Sequence, residues 1–173
     1  MTGDAVWYEA AQVVGVTNAL NVAADTLGVL GAVEEDAASV ATRALFAEIR
    51  DFYASDDVAP GFRFIAHDPL YAADVWAAAR HAFADNRLTR RFKEALAFAV
   101  SVSTRSPSGA AWHLSQMRRL GVGPSGVMEI VGVTQMFSSY TKIADTLQLE
   151  PDMGDIAPAD SSPAPGGPSR IPA

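Results

Sequence analysis

The chain has 173 residues, a net charge of −7, 49% hydrophobic residues and no cysteine. That length suits one domain with a sizeable core. The acidic balance disfavours nucleic acid and anionic membrane surfaces as partners, and the missing thiols exclude disulfides, thiolate metal sites, iron–sulfur clusters and cysteine nucleophiles.

Every apolar stretch is broken by charge within about 18 residues, so no membrane span is expected. Met1-Thr2-Gly3-Asp4 carries no cationic region before an apolar core, and a cytoplasmic location is expected. Apolar spacing is helical nearly throughout. The first helix is predicted from Asp4 to about Leu30, with Gly28 and Gly31 ending it. Glu34, Glu35 and Asp36 place negative charge where a second helix would begin, continuing to about Tyr53. Ala59-Pro60-Gly61 marks a turn, and Gly61–Ile65 reads as an apolar link. Asp68-Pro69 is a capped start for a third helix, to about Ala84. The fourth runs from Arg90 to about Thr104; its Ala95–Val102 stretch is apolar on nearly every face, which suits the middle of a bundle. Ser106-Pro107-Ser108-Gly109 interrupts, a fifth helix follows from about Ala110 to Leu120, and a sixth covers about Gly126 to Leu149.

From Pro151 the composition turns to proline, glycine, serine and alanine, too poor in apolar side chains to offset chain entropy. The expected organisation is a helical domain over 1–150 and a flexible tail over 151–173. One echo stands out: Val13-Val14-Gly15-Val16-Thr17 recurs as Ile130-Val131-Gly132-Val133-Thr134, and Ala24-Asp25-Thr26-Leu27 as Ala144-Asp145-Thr146-Leu147. Internal duplication and chance likeness between alanine-rich helices both account for it.

Residues 62–148 carry a family resemblance. His67-Asp68-Pro69, Trp76 and Arg87-Leu88-Thr89-Arg90-Arg91-Phe92-Lys93-Glu94 are followed by Ala97–Ser106, Trp112-His113, Gly121 and Tyr140–Leu147. This ordered set resembles the carboxymuconolactone decarboxylase and alkylhydroperoxidase D-like superfamily, which implies an all-α bundle of about six helices that assembles as a homo-oligomer, a trimer or hexamer. In the peroxidase branch a glutamate precedes a Cys-x-x-Cys pair, and a histidine follows it. Glu94 and His113 hold the glutamate and histidine slots here, while Ser106 and Gly109 stand at the two cysteines. The resemblance thus implies a Glu94–His113 acid–base pair without thiol redox chemistry. Ser106, Gly109, Trp112 and Tyr140 are candidate pocket residues.

Structural roles compete with each of these. Glu94 favours the helix dipole early in its helix, and His113 could be a core histidine bonded to a carbonyl. His67 reads as a loop or cap residue and His81 as a surface one; three histidines without short-range spacing do not suggest a metal, and no cofactor is expected. Trp7, Trp76 and Trp112 read as core or interface anchors, and Arg90-Arg91 and Arg118-Arg119 as solvated basic pairs. The leading expectation is a lyase- or isomerase-type enzyme acting on a small organic acid or lactone. The alternatives are a non-catalytic ligand-binding or scaffold member, and an alkylhydroperoxidase-type enzyme whose thiols were replaced.

Overall fold

Helices are the only regular secondary structure among the described residues, 4–148 of the computed structural model. Seven α-helices occur in this span: α1 (Asp4–Thr26), α2 (Val40–Tyr53), α3 (Pro60–Ile65), α4 (Pro69–Phe83), α5 (Arg90–Ser103), α6 (Pro107–Arg119) and α7 (Pro124–Leu147). The expected tail at 151–173 lies outside the described residues. The chain divides into two compact units, 1–138 and 139–173, and the described part of the second is the end of α7.

Local chemistry explains most helix starts. Asp68 accepts from the backbone N–H groups of Leu70 and Tyr71, with Pro69 as the first helical residue of α4. Ser39 caps α2 and Thr89 caps α5 in the same way. Ser106-Pro107 repeats this grammar, so Ser106–Gly109 begins α6 and is no interruption before a start at Ala110. Three further expectations need correcting. Glu34–Asp36 do not open α2: Glu34 is paired with Arg63 and Glu35 with Arg50, and a short 3-10 turn precedes the Ser39 cap. The supposed link Gly61–Ile65 is helical, because Pro60 starts it and Phe62 and Ile65 turn inward to the core. The first helix gives way at Leu27 to a 3-10 turn, closed at Gly31 with a φ of 76°.

α1 runs through the middle of the packing, touching α3, α4, α5 and α6, and α5 packs most extensively against α6. The largest apolar cluster joins α2, α3 and α4 through Phe46, Ile49, Tyr53, Phe62 and Trp76. Edge-to-face rings knit it together, with centroids 5.3 Å apart for Phe52–Trp76 and 5.6 Å for Phe62–Trp76. A smaller cluster of Val13, Ala82, Phe83 and Ala97 joins α1, α4 and α5.

The inward stripes of α1 and α5 are polar. α1 buries Glu9, Val13, Thr17, Asn21 and Ala24, at the spacing of one helix face. α5 buries Arg90, Lys93, Glu94 and Ser101 along with Ala97 and Phe98, while Phe92 is 52% exposed. The reading of Arg90 as a solvated residue is therefore wrong, and the charged residues ahead of the apolar Ala95–Val102 stretch are buried as well. Outward, α1 shows Trp7 at 77% and Tyr8 at 70% exposure, so Trp7 anchors no core among the described residues. α7 buries none of its residues, and Met128, Val133, Met136 and Phe137 are exposed. The segment Asp4–Leu30 is long and apolar enough to cross a membrane by length and composition, contrary to the expectation that no stretch would be. Its inward face nevertheless carries Glu9 and Asn21, both bonded to other parts of the bundle.

Glu9 forms a buried ion pair with Lys93 and accepts from the backbone N–H groups of Arg87 and Leu88, while Lys93 also donates to the Ala84 carbonyl. Burial alone would push the Glu9 carboxyl up, but the Lys93 ammonium and the two N–H groups together hold it below the ordinary carboxylate range. A depressed value contributes stability that is complete above the unfolded pKa, near 4.5, and lost as pH falls through the lower folded one. Glu9→Gln, which strands Lys93, should cost about 3–5 kcal/mol at pH 7. It should also flatten the loss of stability on acidification, both measured by denaturant unfolding at a series of pH values.

Candidate functional site

The first turn of α5 is tightly fixed. Thr89 Oγ1 accepts from the Phe92 N–H, and Asp85 Oδ1 accepts from the Arg90 N–H at 2.6 Å. Arg90 and Glu94 then fall one turn apart on the buried face, and Arg90 Nε donates to Glu94 Oε1 at 2.7 Å. The other carboxylate oxygen, Oε2, lies 2.8 Å from His113 Nδ1 on α6. Glu94 is fully buried, and His113 is 6% exposed. The connection that brings α6 back alongside α5 is short: Arg105 takes a left-handed φ of 59°, the Ser106 N–H returns to the Ser101 carbonyl, and Ser106 caps the new helix.

Aromatic rings hold this chain of charges. The Arg90 guanidinium lies 4.4 Å from the Phe52 ring centroid and 4.5 Å from that of Tyr53. Among the described residues its buried Nη2 has no hydrogen-bond acceptor, and the ring faces supply the compensation. Phe83 stacks on the His113 imidazole, with planes 7° apart. Burial, and then the charge of Glu94, push the Tyr53 hydroxyl well up, so it remains a protonated group beside the site.

Glu94 is held by Arg90 on one oxygen and by His113 on the other. An ionised carboxylate can only accept, so it takes the proton on Nδ1. Nε2 has no protein partner among the described residues and is the ring's free nitrogen. A small cavity of about 20 Å³ adjoins the ring, lined by Leu20, Asn21, Tyr53, Gly109, Trp112 and His113, among others. A larger open cleft of about 610 Å³ lies beyond, and Trp112 and Pro60 line both.

The candidate pocket residues divide. Gly109, Trp112 and His113 line the small cavity together. Ser106 does not: its hydroxyl is buried, accepting from the Gly109 N–H and donating to Asp25, so it serves as a helix cap. Tyr140 lies on α7 and is 58% exposed. His67 bonds to the Gly31 carbonyl, His81 is exposed, and among the described residues no three His, Asp or Glu side chains gather at metal-binding distance. Sequence reading missed Arg90, Tyr53 and Asn21. The four-residue spacing of Arg90 and Glu94 was a usable signal for the first; nothing local marked the other two, which arrive from α2 and α1.

Asn21 explains the glycine at 109. A Cβ there would sit 2.1 Å from Asn21 Oδ1 and 2.7 Å from Ser101 Oγ. The Asn21 carboxamide is held in place, donating to Ser101 Oγ at 3.0 Å and to Thr104 Oγ1 at 3.3 Å. The side-chain space at position 109, one of the two slots that the resemblance assigns to cysteine, is thus closed by an amide.

No protein-family model and no curated protein matches the chain. Among solved structures it is similar to the alkylhydroperoxidase AhpD core from Rhodospirillum rubrum, with a TM-score of 0.61 and 22% identity over 66% of this chain and 85% of that one. The chain therefore has the AhpD-like all-α fold, without any cysteine.

The crowding at Gly109 has a measurable sign. In an open helix, glycine to alanine stabilises by about 1 kcal/mol. Gly109→Ala should instead destabilise by about 1–3 kcal/mol, the usual range for overpacking. Asn21→Ala in the same chain should relieve part of that loss in a double-mutant cycle.

Proposed function

We propose that this chain is a cysteine-free member of the carboxymuconolactone decarboxylase and alkylhydroperoxidase D-like superfamily that performs acid–base chemistry on a small organic molecule. The observation that carries the reading is the buried 2.8 Å contact between Glu94 Oε2 and His113 Nδ1. Glu94, ionised beside Arg90, orients the ring and stabilises the imidazolium that forms when Nε2 takes a proton. Nε2 then removes a proton made acidic by an adjacent carbonyl and returns it elsewhere on the same molecule or to the leaving group. A lactone or related organic acid is the substrate class that such a lyase- or isomerase-type step suits. The packing of α1's polar face into the bundle supports a cytoplasmic chain over a membrane-anchored one.

A second reading, a non-catalytic ligand-binding member, is favoured by the confinement at Nε2, where about 20 Å³ admits roughly one water. The replaced-thiol peroxidase reading is weakened by Asn21, which stands where a side chain at position 109 would go. We also propose that the chain assembles as a homo-oligomer, a trimer or hexamer, because Trp7, Tyr8 and the apolar residues of α7 are left uncovered in one copy.

The test is proton exchange and turnover across a panel of lactones and keto acids, followed by NMR in deuterated water. Glu94→Gln and His113→Ala should each lower the rate at least about 100-fold, the lower end of general acid–base contributions. Peroxide reduction should be absent from the unmodified chain. Turnover indifferent to both substitutions would refute the acid–base role, and ligand retention without exchange would favour the binding role. Light scattering at micromolar concentration should return a trimer or hexamer, and a monomer would contradict the assembly.

A further inference from the structure

The small cavity beside His113 has a polar wall that the Glu94–His113 pair does not use: the buried amide of Asn21. Counting protons settles how that amide is turned. Ser101 Oγ donates to the Ala97 carbonyl and Thr104 Oγ1 to the Val100 carbonyl, both at 2.9 Å, so each hydroxyl has spent its one proton. Toward Asn21 both can only accept, which fixes Nδ2 on their side. Oδ1 is left an acceptor without a committed donor, because the Ser101 hydroxyl, 3.4 Å away, has its better acceptor in Ala97. Oδ1 is also the atom that a Cβ at Gly109 would strike, so it stands against the first turn of α6.

His113 Nε2 is a second acceptor on the same cavity. Helical side chains lean toward the start of their helix, so the imidazole lies over the turn that Gly109 begins. Side-chain positions one turn apart are roughly 5–6 Å from each other, a span that one water making two hydrogen bonds covers. Nε2 is not sealed off: among the described residues the buried polar atoms without a partner are Thr17 Oγ1, Arg90 Nη2 and Trp112 Nε1. The cavity, about 20 Å³, has room for roughly one water, and Leu20, Ala24 and Pro60 make its remaining wall largely apolar. Two acceptors around a space of that size call for one small molecule that donates twice.

We propose that this cavity holds a water donating to Asn21 Oδ1 and His113 Nε2, and that the chain uses it to open lactones by hydrolysis. Nε2 takes one proton of the water while Asn21 keeps hold of the other. The water oxygen forms a bond to the lactone carbonyl carbon, and the carbonyl electron pair moves to its oxygen. That pair returns as the ring carbon–oxygen bond breaks, and the imidazolium gives its proton to the departing alkoxide, leaving a hydroxy acid. The inference rests on the acid–base reading of Glu94 and His113, keeps the lactone as substrate, and adds a reaction in which the proton comes from water.

Two measurements on the full-length chain test this. A high-resolution crystal structure should show a water within about 3.2 Å of both Asn21 Oδ1 and His113 Nε2. With γ-butyrolactone and δ-valerolactone as probes, ring opening should exceed the uncatalysed rate and place one atom of oxygen-18 from labelled water in the carboxylate. Asn21→Ala should lower that rate roughly 10–100-fold, the cost of a misplaced reactant, and lose the water. If Asn21→Ala does not fold, Gly109→Ala, whose methyl group pushes the amide aside, should give the same loss. No water between the two atoms, or ring opening unmoved in a folded variant, would overturn the proposal. In deuterated water, deuterium entering carbon without ring opening would overturn the hydrolysis and leave the acid–base reading standing. Neither exchange nor ring opening would overturn both.

Discussion

A carboxylate with no exposure to water is the constraint around which this structure is arranged. Taking an ionised group out of water costs several kcal/mol unless its lone pairs and charge are met. Glu94 is met twice, by Arg90 on one oxygen and by His113 on the other. Arg90 is itself buried and must be held in turn, which the ring faces of Phe52 and Tyr53 do. The need to seat Glu94 therefore dictates which face of α5 is turned inward, where α6 must lie, and why α2 supplies aromatic rings at that height. The functional geometry and the packing are one arrangement: removing the carboxylate would strand a buried guanidinium and release the imidazole together.

The same constraint accounts for the distribution of polarity. With Arg90, Lys93, Glu94 and Ser101 inward on α5, and Glu9, Thr17 and Asn21 inward on α1, the interior between these helices is a polar seam beside a conventional apolar core. Apolar residues such as Trp7, Tyr8 and Phe92 are left facing out. A chain that spends its inner helix faces on ion pairs relies on the aromatic cluster of α2, α3 and α4 for apolar burial, and its outer faces are available for association. The buried Glu9–Lys93 ion pair binds helices far apart in the chain, and the Glu94–His113 contact fixes α6 against α5, so the polar seam specifies which helices meet. That specificity is gained at some cost in stability relative to an apolar seam.

Much of the fold was legible because its signals are local. Asp68-Pro69 marked α4 through capping chemistry, and the Glu94-to-His113 interval pointed to two side chains that do meet. Ser106-Pro107 carried the same capping signal as Asp68-Pro69, yet read as a break before a start at Ala110. Other features were hidden for a physical reason. Whether an apolar or a charged face of α5 turns inward depends on the partners waiting there, and those come from α1 and α2, well separated from α5 in sequence. Asn21 could not be connected with Gly109 by any pattern, since their contact exists only once α1 crosses α6. The acidic run at Glu34–Asp36 misled because helix-dipole preference is weak, and the guanidiniums of Arg50 and Arg63 compete for the same charges at closer range.

What remains central is the state in which the buried carboxylate holds the imidazole. If Glu94 takes the Nδ1 proton, then the neutral His113 ring must populate a single tautomer, with Nε2 bare. Nitrogen-15 NMR of the labelled imidazole reads this directly, because protonated and bare ring nitrogens resonate far apart. The structure predicts a protonated Nδ1 and an unprotonated Nε2 for His113, with His67 and His81 as internal comparisons. A His113 ring protonated at Nε2, or one that averages between both tautomers as a solvated imidazole does, would contradict the arrangement on which the proposed chemistry depends.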